Sequence, residues 1–306
     1  MDIITLMLAT CCRDELLRRE LESFTKLHLP EIKLKVLVGD NAYRDETKKL
    51  CETFNFRLDI TYIPHKTPGK NSTLNALLPH AEGEYYVFTD DDITADKNWI
   101  FSLIESAKKY PEATVFGGRI RPFIPKGCEL PDNEMVNKFV NTGNLDESEG
   151  PISHLKIFGP NMMVRSGVFT EGVGFNVDIG PNGKSYMMGS ETEFNLRLEL
   201  HGYKASYVPD ALVYHYIRPE QFLVEWWMER MERRGRGSLL LMDPSEMPRL
   251  FGAPRYLYLK VLKLYFGSLI AALKRDKEKS LALRSAYYFT LGQIKQFRIY
   301  GSGNSE

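Results

Sequence analysis

Tyr85-Tyr86-Val87-Phe88-Thr89-Asp90-Asp91-Asp92 joins a mainly apolar run to three successive carboxylates. The run predicts a buried strand over 85–89, with the aspartates at its carboxyl end. Three adjacent carboxylates repel one another unless a cation neutralises them. Residues two apart on extended backbone face one side, so Asp90 and Asp92 are expected to share one ligand while Asp91 points away. The same residues also suit a solvated acidic turn in which Asp92 or Thr94 caps the next helix.

Short β-branched runs alternate with longer amphipathic ones on either side of this segment. Strands are expected over 3–9, 34–40, 58–63 and 113–118, and helices over 13–26, 44–54, 71–78 and 97–110. Such alternation predicts βαβ units around a mainly parallel sheet flanked by helices. Ligands of such sheets sit beyond the carboxyl ends of the strands, where Thr10-Cys11-Cys12-Arg13, Asp40-Asn41 and the triple aspartate all fall. From 119 to about 155 Pro, Gly, Asn and acidic residues predict a surface excursion. A strand over 154–164, a helix over 191–200 and strands over 203–208 and 211–214 follow. Beyond Pro219 the pattern is helical almost to a frayed tail at 301–305.

The 306 residues suffice for a large apolar core. Forty Lys and Arg balance forty Asp and Glu, leaving no overall field to recruit nucleic acid or an anionic surface, so any electrostatic function is local. Cys11, Cys12, Cys51 and Cys128 include no C-x-x-C pair and read as free thiols, which suits a reducing cytosol. Met1-Asp2-Ile3-Ile4-Thr5-Leu6 carries an acid and no basic stretch, so it reads as a strand and not as a secretory signal. The apolar run 256–273 is interrupted by Lys260 and Lys263, which argues against a membrane span. It reads first as an amphipathic helix packed on the protein, and alternatively as a peripheral membrane contact of the C-terminal helices.

Leu8-Ala9-Thr10-Cys11-Cys12-Arg13 is similar to a P-T-Y-N-R opening, with Ala for Pro and the Cys pair for Tyr-Asn. Val38-Gly39-Asp40-Asn41-Ala42 with Asp45 is similar to V-D-N-x-S-x-D. Gly69-Lys70-Asn71-Ser72-Thr73-Leu74-Asn75 and Ala81-Glu82-Gly83-Glu84-Tyr85 resemble the approach to a D-x-D strand. Asn161-Met162-Met163-Val164-Arg165 and Gly189-Ser190-Glu191-Thr192-Glu193-Phe194 continue the order. In that order, over about 3–218, the segments resemble the large inverting glycosyltransferase family 2. The resemblance implies the α/β nucleotide-binding fold called GT-A, with a nucleotide-sugar half at 1–118, an acceptor half of the same domain at 119–218 and a helical C-terminal extension at 219–306.

It also implies a UDP-sugar donor, an acceptor that is a sugar, a lipid-linked molecule or another hydroxyl, and a divalent Mn²⁺ or Mg²⁺. Asp92 would hold the metal and Asp90 the ribose, with Asp91 beside them. Asp40 would accept from a base imide, Thr10 and Arg13 would line the nucleoside, and Lys70 would reach base or phosphate. Taken alone, Thr10 equally suits an ordinary strand end and Asp40 an Asx-turn with Asn41. His215 is either a metal and diphosphate neighbour or a half-buried histidine. Arg230, Arg233, Arg234 and Arg236 suit a solvated helix face, whereas the resemblance turns Arg233 and Arg234 towards the diphosphate. Trp226 and Trp227 read first as core and alternatively as a stacking surface for a sugar ring or acceptor.

Ser190-Glu191-Thr192-Glu193 has the S-x-x-E form of a capping box, which leaves Glu191 free at the helix N-terminus. The family's acid pair falls here, as Ser190-Glu191 in place of Glu-Asp, and implies Glu191 as the catalytic base. Two competing readings are a nucleotidyltransferase and a binding module that keeps the fold without the activity. The first normally has a glycine-rich loop after its first strand, and Thr10-Cys11-Cys12-Arg13-Asp14-Glu15 contains no glycine. The second draws on the changed acid pair.

Overall fold

The computed structural model describes residues 2–130, 134–183, 186–241 and 248–302. Its elements run β1 (Asp2–Thr10), α1 (Asp14–Phe24), β2 (Ile32–Asp40), α2 (Asp45–Glu52), β3 (Asp59–Pro64), α3 (Lys70–Leu77), β4 (Tyr85–Asp90), β5 (Ile93–Ala95), α4 (Trp99–Lys109) and β6 (Ala113–Phe123). Then come α5 (Glu134–Val140), β7 (Gly150–Pro151), β8 (Met162–Arg165), α6 (Gly167–Thr170), α7 (Ser190–Leu200), β9 (Lys204–Tyr216), α8 (Val224–Gly237), β10 (Arg249–Leu250), β11 (Ala253–Pro254), α9 (Arg255–Leu273) and α10 (Lys277–Ser302). The chain divides into one compact unit of Met1–Lys126, Val140–Asp178 and Ser190–Ile217, and a second of Gly127–Phe139, Ile179–Gly189 and Arg218–Glu306.

The first unit holds a sheet ordered β3-β2-β1-β4-β8-β6-β9-β5, with β7 also on β9. β1, β2 and β4 are apolar almost throughout because both faces are covered. Ile4, Leu6 and Leu8 pack with Leu17, Leu21 and Phe24 of α1 on one side. On the other, Met7 joins Leu74 and Leu77 of α3. Gly39 of β2 lets α3 come close, since a Cβ there would lie 2.3 Å from Thr73 Cγ2.

The sheet is mixed, whereas the sequence pattern suggests a mainly parallel one. β8 runs antiparallel to β4 and β6, and β5 antiparallel to β9. The strand expected over 154–164 is two 3₁₀ turns, His154–Lys156 and Gly159–Asn161, leading into the short β8, because Gly159-Pro160 cannot continue a ladder. The two strands expected at 203–208 and 211–214 are one strand, β9, whose register on β6 shifts between Gly118 and Arg119. Pro209-Asp210-Ala211 is thus a bulge within a strand and not a break.

In the second unit, α10 lies against α8 and α9. Glycines permit the α8–α10 crossing: a Cβ on Gly235 would meet Phe289 O at 1.9 Å, and one on Gly292 would meet Glu232 O at 2.0 Å. α9 buries Leu257, Ser268 and Ala271, yet only 17% of its apolar window is buried. It packs on α10 through that one face, as expected of an amphipathic helix, while its other face is uncovered, and by length and composition alone it is long and apolar enough to cross a membrane despite Lys260 and Lys263. α10 continues to Ser302, into the expected tail, of which 303–305 lie outside the described residues. All four cysteines are free thiols.

Candidate active site

Parallel register brings three strand ends level. Thr10 pairs with Asp40 across β1 and β2, and Ala9 with Asp90 across β1 and β4. Asp40 is fully buried and faces its own loop. Its Oδ1 accepts from Ala42 N at 2.8 Å and its Oδ2 from Arg44 N at 2.7 Å and Tyr62 Oη at 2.9 Å. The carboxylate expected to face a base imide thus closes an Asx-type turn, the other role its sequence allows. Asn41 extends from that turn, donating to His65 O and Thr67 O and accepting from Gly69 N at 2.8 Å. It fixes the loop ahead of α3.

The aspartates diverge, because the chain turns after Asp90 and extended alternation ends there. Asp91 is buried, and accepts from Thr10 Oγ1 at 2.7 Å and Arg13 Nη1 at 2.7 Å. Burial raises its pKa, while Arg13 and Thr10 favour its ionised form. The Thr10 hydroxyl therefore holds this loop together. Asp92, also buried, has its Oδ1 3.2 Å from His215 Nε2 and its Oδ2 3.9 Å from Arg13 Nη1. The β5–β9 pairing of Ile93 with His215 and the Tyr216 N to Asp92 O bond at 2.8 Å align these two side chains. Asp90 is ion-paired with Lys70.

Lys70 Nζ also lies 3.5 Å from Glu191 Oε1. Burial works against this ammonium, but Asp90 and Glu191 outweigh it and raise the pKa above the usual lysine value. The first turns of α3 and α7 are joined beside it: Ser190 Oγ donates to Asn71 Oδ1 at 2.6 Å, and Asn71 Nδ2 donates to Asn176 O at 2.7 Å. The capping box does not form. Ser190 is already helical and bonded to Asn71, and Glu193 binds Arg197 Nε at 2.6 Å. Glu191 is left half-exposed over Gly159, whose missing side chain makes room for it. A Cβ there would sit 2.6 Å from Glu191 Cγ.

Asn41, Asn71 and Gly159 escape sequence reading because their partners lie far along the chain. The clue for Gly159 is the pair Gly159-Pro160 within an otherwise apolar stretch. Arg233 and Arg234 belong to the second unit. There Arg233 pairs with Glu229 at 2.9 Å and lies over the Tyr186 ring at 4.9 Å, while burial lowers the pKa of Arg234.

The two donors at Asp92 and His215 suit a small divalent cation. Ligands about 2.1 Å from a metal at right angles are about 3 Å apart, and such ions take few protein ligands, with phosphate and water supplying the rest. No cluster of three or more His, Cys, Asp or Glu side chains able to hold a metal occurs among the described residues.

A mixed α/β sheet with acidic, lysine-bearing loops at level strand ends defines a GT-A-like glycosyltransferase fold. The glycosyl transferase family 2 model matches residues 5–169, and the chain belongs to that family. Among curated relatives, the succinoglycan biosynthesis protein ExoM of Rhizobium meliloti is 23% identical over 73% of this chain and 71% of its own length. The probable glycosyltransferase YdaM of Bacillus subtilis is 22% identical over 72% and 52%. The fold is shared with S. aureus TarS 1–349, solved with UDP-GlcNAc (TM-score 0.57, 15% identity, 97% of this chain and 92% of that one). It is shared also with the mannosyltransferase PcManGT of Pyrobaculum calidifontis in complex with GDP-Man and Mn²⁺ (TM-score 0.59, 18% identity, 99% and 88%).

Proposed function

We propose that the chain moves a sugar from a UDP-sugar to an acceptor hydroxyl, of a sugar or lipid-linked molecule, in one inverting displacement. The observation carrying this reading is the contiguous run Glu191, Lys70 and Asp90 in the same unit as the Asp92–His215 pair. Glu191 accepts the acceptor's proton as its oxygen attacks opposite the leaving group. Lys70 holds Glu191 and Asp90 in register and offers positive charge to the donor. Asp90 is assigned to the ribose. Thr10 and Arg13 are assigned to the nucleoside with Asp91 beside them, and Asp40, whose carboxylate closes its turn, is assigned to the base imide. Asp92 and His215 would hold Mn²⁺ or Mg²⁺, which when bound neutralises charge developing on the diphosphate. The Mn²⁺ complex of PcManGT supports that assignment by analogy. Arg233 and Arg234 are assigned to the diphosphate through the family resemblance. The division into a donor half at 1–118, an acceptor half at 119–218 and a C-terminal extension is part of the same reading. So is a cytoplasmic place at a membrane surface, reached through the C-terminal helices.

Calorimetry of UDP, GDP and CDP with and without Mn²⁺, followed by NMR of the product anomer, tests the reading. Tightest binding of UDP and an inverted product are expected. Tighter binding of GDP or CDP would remove the uridine assignment, and a retained anomer the single displacement. The binding-module alternative draws on Ser190, which is bonded to Asn71 and leaves one carboxylate, Glu191, where the family has two. Donor turnover with Mn²⁺ separates the two readings.

A further inference from the structure

α9 carries apolar side chains on the side that the protein does not cover. Leu257, Ser268 and Ala271 face inward, with Val261 and Leu264 partly covered beside them. On the opposite side Leu259, Leu262, Phe266, Leu269 and Leu273 follow the spacing of one helical stripe, and all are exposed, Phe266 by 58% and Leu273 by 84%. Globular proteins ordinarily place such a stripe against their core. Phe251, 76% exposed at the turn between β10 and β11, stands at the start of the same helix, its ring 6.5 Å from that of Tyr258.

The charges on α9 itself are of one sign, the nearest acids along the chain being Asp276, just before α10, and Glu278 in its first turn. Arg255–Leu273 contains Arg255, Lys260 and Lys263 and no acid, and Lys274 and Arg275 follow directly. Lys263 borders the stripe next to Leu259 and Ile270, and Lys260 and Lys274 lie along that same border, where long side chains can lift their ammonium groups to a headgroup layer. We propose that α9 lies in the plane of an anionic bilayer surface, with Leu262, Phe266, Leu269 and Leu273 in the acyl boundary and Lys260 and Lys263 on acidic headgroups. This rests on, and makes specific, the membrane-surface part of the function proposed above.

Two other arrangements fit less well. A spanning α9 would carry Lys260 and Lys263 into hydrocarbon and would have to part from the α10 residues that cover its inner face. A second copy docked across a two-fold axis would bring an acid-free, cationic helix against itself. An acidic lipid surface alone answers both the stripe and the charge.

Co-sedimentation of the full chain with vesicles tests this. Binding to vesicles of phosphatidylcholine with phosphatidylglycerol is expected, and binding about tenfold weaker or less to phosphatidylcholine alone. The Leu262→Glu/Phe266→Glu variant should lose binding to both. Lys260→Ala/Lys263→Ala should lose about tenfold on the anionic vesicles only. Absence of parent binding, or equal binding to both compositions, overturns the proposal. So does self-association in sedimentation velocity that Leu262→Glu/Phe266→Glu abolishes, if the parent does not bind vesicles. UDP affinity and vesicle-free turnover of the UDP-sugar should stay at the parent level in both variants. Their absence in the parent would count against the glycosyltransferase reading, whatever the vesicles show.

Discussion

Lys70 Nζ stands 3.5 Å from Glu191 Oε1 while ion-paired to Asp90, so one ammonium ties the proposed base to the loop proposed to hold the donor. Lys70→Met keeps the length of the stem and removes that tie, leaving two carboxylates without their shared cation. Hydrogen bonds to charged groups are worth about 1.5–3 kcal/mol, so UDP affinity should fall by about tenfold or more. Calorimetry reads this, and unchanged affinity would leave Lys70 a purely internal ion pair.

Glu191→Gln preserves shape and removes basicity. Transfer should fall by about 10²-fold or more while UDP and Mn²⁺ binding persist. Transfer at the parent rate would show that Glu191 is not the base. Glu193, the other acid of this turn, is then a poorer candidate than its position suggests, because Arg197 already engages both of its oxygens, at 2.6 and 3.1 Å.

Gly159→Ala tests the same group by geometry and not by charge. The added methyl would lie 2.6 Å from Glu191 Oε1, so the carboxylate must swing away. We expect kcat to fall by about tenfold while overpacking costs about 1–3 kcal/mol of stability in thermal melts. Full activity would show that the placement of Glu191 over Gly159 is unnecessary.

The fold is legible in the sequence where local pattern decides structure. β1, β2 and β4 are apolar because they are covered on both faces, so their ends, and with them Thr10, Asp40 and Asp90, could be placed from sequence. The region 154–164 has the apolar pattern of a strand because its apolar residues serve turns that pack on the core. β9 reads as two strands split at Pro209-Asp210 because a bulge and a break share the same residues. The side-chain roles depend on distant partners: Ser190 bonds to Asn71, 119 positions away, instead of capping its own helix. No local motif contains that information, whereas the turn closed by Asp40 is local, its carboxylate accepting from Ala42 N and Arg44 N, and is one of the two roles its sequence allows. The composition of α9 was visible from sequence, but which of its faces the protein covers was not.

The Asp92 and His215 pair should behave as a metal site. Asp92→Asn replaces a carboxylate on a hard cation by a neutral amide and should largely abolish transfer, together with the added thermal stability that UDP gains from Mn²⁺. His215→Asn should weaken the same Mn²⁺-dependent shift. Thermal-shift curves at increasing Mn²⁺ with UDP present read both. A parent-like shift in Asp92→Asn would sink the metal assignment.

Glu20 supplies a test of the field behind the aspartates that needs no substrate. It lies on α1, fully buried, and neither carboxyl oxygen has a hydrogen-bond partner. Burial, followed by the charges of Asp91, Asp92 and Asp90, raises its pKa well above 4.5. The sign follows from proton counting. Below the unfolded value near 4.5 both states hold the proton, and the group does not oppose folding. As pH rises past that value the unfolded chain gives up a proton that the folded chain keeps, so stability falls until the folded pKa is passed. Glu20→Gln keeps the shape of the neutral acid and does not titrate. Relative to the parent, it should therefore gain about 1.4 kcal/mol per pH unit across that window, with little difference at its acid end. Urea unfolding of both proteins in chelator, from acid to mildly alkaline pH, measures the difference. A difference that stays flat with pH would mean that Glu20 ionises as readily in the folded protein as in the unfolded chain, and that the aspartates do not act on it through the core.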